Sequence, residues 1–140
     1  MEQAVDYGRL MELRNRKNRF TRKLGISLTA LSSGYAKVEK TVEEDDLNPL
    51  GRPHGGLYFT MADNAAGSAM AARGYMAVTM NASYSFLRSA DLGDRLTAEA
   101  REIKAGRTVC VYSVEIRNQK DLLLGTGTFT FFQLEEKIQF

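Results

Sequence analysis

The sequence predicts an α+β protein, one antiparallel sheet covered on one face by a single long helix, with an additional helix at the N-terminus. Three observations carry this. An alanine-rich segment with only one acid, RPHGGLYFTMADNAAGSAMAARG (52–74), has helical length and sits mid-chain. Two short strand-like runs precede it and four follow, separated by turn residues. No other internal segment is long enough to supply a second covering helix.

Residues 2–24 read as the N-terminal helix, with Leu10, Leu13, Phe20 and Leu24 as a thin apolar stripe. Arg9, Arg14, Arg16, Lys17, Arg19, Arg22 and Lys23 make it basic, which fits a solvated face or attraction for an anionic ligand. Gly25 stops it. Two strands around Ser32-Ser33-Gly34 form a hairpin, and EEDDLNPLGRP (43–53) is a loop broken by Pro49, Gly51 and Pro53. The central helix follows and ends at Gly74; then come strands at 75–88, 95–104, 107–117 and 122–133. Their short separators predict a four-strand antiparallel meander. Alternation in 76–86 puts Met76, Val78, Met80, Ala82, Tyr84 and Phe86 on the core face, with Thr79 among the small polar residues opposite. In 107–117, Cys110, Tyr112, Val114 and Ile116 form one apolar face, and Val109 with Val111 suggests a second covered surface such as subunit packing.

The chain has 140 residues, a size for one domain, 1–140, with a helical segment 1–24 and a core 25–140. A net charge of +2 makes no case for nucleic acid or membrane, and no apolar run approaches a membrane span. With one cysteine, Cys110, and no basic-then-apolar start, a cytoplasmic location is expected. No metal-ligand cluster or cofactor fingerprint occurs in the sequence.

The alanines of 62–72 explain themselves as close packing against a sheet, but Asp63 does not. A carboxylate among small apolar residues needs partners or a task, and proton transfer is the task it suits. Gly55 and Gly56 open the same helix after His54, where free N–H groups and the helix dipole form an oxyanion site in waiting. Gly55 to Asp63 is about 12 Å along the axis and roughly 80° around it. One carbonyl cannot reach both on one helix, so a shared reaction requires the second group from another subunit.

Asn48, His54-Gly55-Gly56, Met61-Ala62-Asp63, Thr79 and Phe86-Leu87-Arg88 together resemble the hotdog-fold acyl-CoA thioesterases of the PaaI type (phenylacetic-acid-degradation thioesterase-like). The stretches NRFTRKLGISLTALSSGYAKV, LTAEAREIKAGRTVCVYSVEI and LLLGTGTFTFF are similar to the family's remaining segments, so that the likeness spans roughly residues 18–133. Ser89 stands where the family often has proline. The resemblance implies a hotdog fold, acyl-CoA as substrate and homodimers, or tetramers as dimers of dimers, with sites at the subunit interface. It implies Asp63 as general base or nucleophile, the Gly55 N–H of the opposite subunit as oxyanion donor, and Asn48 as orienting group. His54 supports the loop, Thr79 helps place water, and Gly56, Arg88, Gly106 and Arg107 serve the CoA end. Two alternatives stay open: an acyl-thioester dehydratase or hydratase using His54 with Asp63, and a non-catalytic acyl-CoA-binding protein. Tyr58, Phe59, Met61 and Met80 are available to shape an apolar pocket.

Overall fold

The structure, a computed structural model, describes residues 4–140. The helix expected over 2–24 is two helices, α1 (Tyr7–Lys17) and α2 (Arg19–Lys23); residues 2 and 3 lie outside the described residues. The break is at Asn18, whose side-chain oxygen accepts the Thr21 N–H and so starts a new helix instead of continuing the old one. Asp6 caps α1 by accepting the Arg9 N–H at 3.1 Å. Of the expected stripe, Leu10 is fully buried, whereas Phe20 is 63% exposed.

Strands β1 (Ser27–Ser32) and β2 (Tyr35–Thr41) make the predicted hairpin, and α3 (Gly55–Ala71) is the central helix. Four strands follow: β3 (Tyr75–Phe86), β4 (Arg95–Ala105), β5 (Val109–Arg117) and β6 (Leu123–Lys137). All six form one antiparallel sheet in the order β1-β2-β4-β5-β6-β3. Only β4-β5-β6 is a meander; β3 lies beyond β6 at the free edge, which corrects the four-strand expectation. The separator is the reason. Residues 87–94 are too long for a tight hairpin, and eight residues can cross the roughly 14 Å of three strand spacings. The link is pinned as it crosses, with the Leu87 and Arg88 N–H groups donating to the Leu124 carbonyl and the Val42 N–H to that of Asp94.

The sheet curls around α3, which packs against β2, β3, β4 and β5, giving the hotdog arrangement that the resemblance implies. Ala62, Ala65, Ala66 and Ala69 are fully buried, so the thin side of the helix admits the strands closely. Cys110, Tyr112, Val114 and Ile116 fill the opposing face of β5, as their alternation predicts. Cys110 is a free, buried core thiol. The alternation in β3 fails at one place: Met80 is an extra residue in the β3–β6 register between Thr79 and Asn81. This bulge switches parity. Ala77 therefore turns toward α3, as Ala82 and Tyr84 do beyond the bulge, and the exposed Thr79 reaches α3 through its hydroxyl, while Met76, Val78 and Met80 are 46%, 52% and 56% exposed. Phe86, also expected in the core, is 58% exposed. No helix among the described residues is long and apolar enough to cross a membrane.

Candidate active site

The start of α3 is held by a loop with a charged anchor. Lys40 of β2 and Asp46 form an ion pair at 3.1 Å, with side chains only 3% and 5% exposed. The Asp46 carboxylate also accepts the Glu43 N–H at 2.8 Å, and its carbonyl accepts the His54 N–H at 2.8 Å. Asn48 closes the intervening loop: its Oδ1 accepts the Leu50 and Arg52 N–H groups, and its own N–H donates to the Arg52 carbonyl. The carboxamide oxygen is thus used within the loop, and Nδ2 donates to none of the described residues.

His54 is the N-cap of α3, with Nδ1 accepting the Gly56 N–H at 2.8 Å and its carbonyl accepting that of Leu57 at 3.0 Å. This ring supports the helix start. The Gly55 N–H has no acceptor among the described residues and is a free donor at the positive end of the helix dipole. A Cβ at Gly55 would lie 3.4 Å from the Phe86 ring, so the glycine keeps that approach narrow but open.

Asp63 lies eight residues further along α3, about 12 Å up the axis, and is partly buried. The Thr79 hydroxyl donates to Asp63 Oδ1 at 2.8 Å, a contact that exists because the Met80 bulge turns Thr79 inward. Both residues line a cavity of about 740 Å³ between α1, α2, α3 and β3. Phe59, packed on Phe129 at 5.4 Å between ring centroids, also lines it. Tyr58 and Met61 are buried instead, and Met80 faces away from the core.

Arg14 enters the same cavity from α1. Its Nε donates to Ser68 Oγ at 3.0 Å, and Ser68 Oγ donates in turn to Asn64 Oδ1 at 3.4 Å. Burial pulls the guanidinium pKa down from its ordinary value, and the charge of Asp63 opposes that shift. Sequence reasoning counted Arg14 only within a basic face. Its spacing of four from the buried Leu10 was the available signal that it shares the inward side. The Lys40–Asp46 anchor had no such signal, because the acidic loop reads as solvated.

The expected CoA-end residues divide. Arg88 is exposed near the N-terminal end of α3, where the Tyr58 hydroxyl accepts the neighbouring Ala90 N–H. Gly106 and Arg107 lie at the other end, where Arg73, just past α3, donates to the Gly106 carbonyl at 3.4 Å. One subunit therefore does not bring Arg88 and Arg107 together, nor Gly55 and Asp63.

A small-residue helix wrapped by an antiparallel sheet defines a hotdog-type scaffold, here with an open N-terminal donor and an interior acid. The chain matches the thioesterase superfamily family model over residues 50–124. It is 38% identical over 97 residues to the acyl-coenzyme A thioesterase PaaI of Escherichia coli, covering 69% of each chain. The solved structure of E. coli PaaI superposes with a TM-score of 0.92, covering 99% of this chain and 100% of that one at 28% identity. The smu.793 protein of Streptococcus mutans, solved bound to acetyl CoA, superposes with a TM-score of 0.78 at 32% identity, covering 81% of this chain and 91% of the other. The chain belongs to the thioesterase superfamily, and is a thioester hydrolase.

Proposed function

We propose that the protein hydrolyses acyl-CoA thioesters to the free acid and CoA at sites shared between two subunits. The carrying observation is Asp63, held by Thr79 at 2.8 Å in a cavity of about 740 Å³, about 12 Å from the free Gly55 donor of its own helix. The acetyl CoA bound to the similar S. mutans protein supports a CoA thioester as the substrate class.

In this reading water attacks the thioester carbonyl carbon as Asp63 takes its proton. The carbonyl oxygen becomes an oxyanion, stabilised by the Gly55 N–H of the second subunit, with the Asn48 amide beside it. The C–S bond then breaks and the thiolate of CoA leaves with the proton. Asp63 as a nucleophile would form a transient anhydride at the same place. His54 Nδ1 is already committed to capping Gly56, which disfavours its use in the acid/base pair that hydration or dehydration needs. Arg88 of one subunit and Gly106-Arg107 of the other serve the CoA nucleotide in this scheme, and Gly56 lines its approach.

The dimer is supported by the free edge of β3. A twelve-residue strand paired on one side only, with Met76, Val78 and Met80 half exposed, calls for a cover. A second copy placed there by a two-fold axis sets the two α3 helices antiparallel. On the outer face of the sheet, Val109 and Phe132 are 39% and 42% exposed, and fit pairing of dimers into a tetramer.

Steady-state hydrolysis of a panel of aromatic, short-chain and long-chain acyl-CoA thioesters, followed by thiol release, tests the activity. Turnover of at least one class that is lost in Asp63→Asn is the expected result; a panel left untouched by wild-type protein contradicts it.

A further inference from the structure

The cavity that holds Asp63 also holds a cation that the hydrolysis above does not use. Arg14 reaches in from α1, and its Nε is occupied by Ser68, five residues of α3 beyond Asp63. Its Nη1 and Nη2 groups donate to none of the described residues, and no described carboxylate lies within ion-pair distance of it. Asp63 feels its charge from further off and has Oδ1 engaged by Thr79. Gly67 leaves room in front of the guanidinium: a Cβ there would sit 3.6 Å from both Arg14 Nη2 and the Phe131 ring. Leu13, Phe20, Phe59 and Phe131 supply apolar wall, with Asn18, Thr21 and Asn64 as polar neighbours. The other charges facing this space are Lys17 on α1 and Glu136 and Lys137 on β6. A partly buried guanidinium with unspent donors is a receptor for an anionic acceptor, and a carboxylate matches its fork.

We propose that Arg14 is a specificity-determining residue that receives a carboxylate at the far end of the acyl group, so that the preferred thioesters are CoA half-thioesters of short dicarboxylic acids. This rests on the reading that the thioester carbon sits at Asp63. The guanidinium then lies about one helical turn further on, roughly 6 Å along the axis, which suits an acyl group of on the order of five or six carbons.

The test compares adipoyl-CoA with hexanoyl-CoA, which have the same chain length and differ only in the terminal group. The wild-type protein is expected to favour adipoyl-CoA in kcat/KM by about tenfold or more, the size of one charge-assisted hydrogen bond. Arg14→Gln is expected to erase that preference, chiefly through KM for adipoyl-CoA. Ser68→Ala removes the same side-chain hydrogen bond but keeps the cation, and is expected to retain the preference. Equal rates on the two thioesters in the wild type, or a preference that survives in Arg14→Gln, overturns the proposal while leaving the hydrolytic reading intact. If the wild type turns over neither thioester, equilibrium binding of the same pair decides: tighter binding of adipoyl-CoA that is lost in Arg14→Gln supports the carboxylate site, and equal binding refutes it.

Discussion

The hydroxyl of Thr79 on β3 donates a 2.8 Å hydrogen bond to Asp63 on α3, tying the edge strand to the one acid of the central helix. The bond fixes one carboxylate oxygen of a residue that lines the cavity. It thereby holds in place the residue that the proposed hydrolysis uses as its base.

Asp63→Asn conserves shape and removes the carboxylate that the proposed mechanism uses as its base. Its kcat is expected to fall about a thousandfold or more, within the range that positioned proton transfer contributes. Circular dichroism and Tm should match the wild type, because the helix around position 63 rests on alanines.

Thr79→Ala removes the donor alone. A hydrogen bond to a charged group is worth about 1.5–3 kcal/mol, so kcat should drop about ten- to a hundredfold with KM little changed. Thr79→Ser should recover most of the loss. Full activity in Thr79→Ala would mean that Asp63 needs no orientation.

Gly55→Pro isolates the N–H proposed as the oxyanion donor. Proline is well tolerated at the first helical position, and the extended backbone of His54, φ −62° and ψ 141°, is compatible with a following proline. The helix should persist while the N–H disappears, lowering kcat by about 10²–10³. Gly55→Ala, which keeps the N–H, serves as the reference for crowding against Phe86.

Lys40→Met strands the buried Asp46 carboxylate. Removing one partner of a buried pair costs about 3–5 kcal/mol, and Tm should fall by roughly 10 °C. Activity should fall with it, since the Asp46 carbonyl holds His54 at the start of α3. The double variant Lys40→Met, Asp46→Leu should regain part of the stability, as an uncompensated charge no longer remains.

Much of this was readable in the residues. The glycines at Gly55-Gly56 and Gly74 placed the central helix to within a turn, and the alternation of Cys110, Tyr112, Val114 and Ile116 assigned the buried face of β5 correctly. Two features escaped. The place of β3 at the sheet edge depends on a crossover through 87–94, and local turn chemistry does not say which strand a link returns to. The Met80 bulge is a property of pairing with β6, so periodicity alone put Met76 and Val78 inside and Thr79 outside. Arg14 was hidden for a related reason: six neighbouring cations in residues 9–23 share its chemistry, and only tertiary packing singles it out.

The central claim is that each site takes Asp63 from one subunit and the Gly55 N–H from another. Co-expression of Asp63→Asn with Gly55→Pro, each nearly inactive alone, tests it most directly. In a mixed dimer one site carries both lesions and the other carries neither. Random pairing makes half of the dimers mixed, so activity should return to about a quarter of wild type, within the sharing of sites that subunit symmetry allows. Activity that stays at the average of the two parents contradicts the shared site.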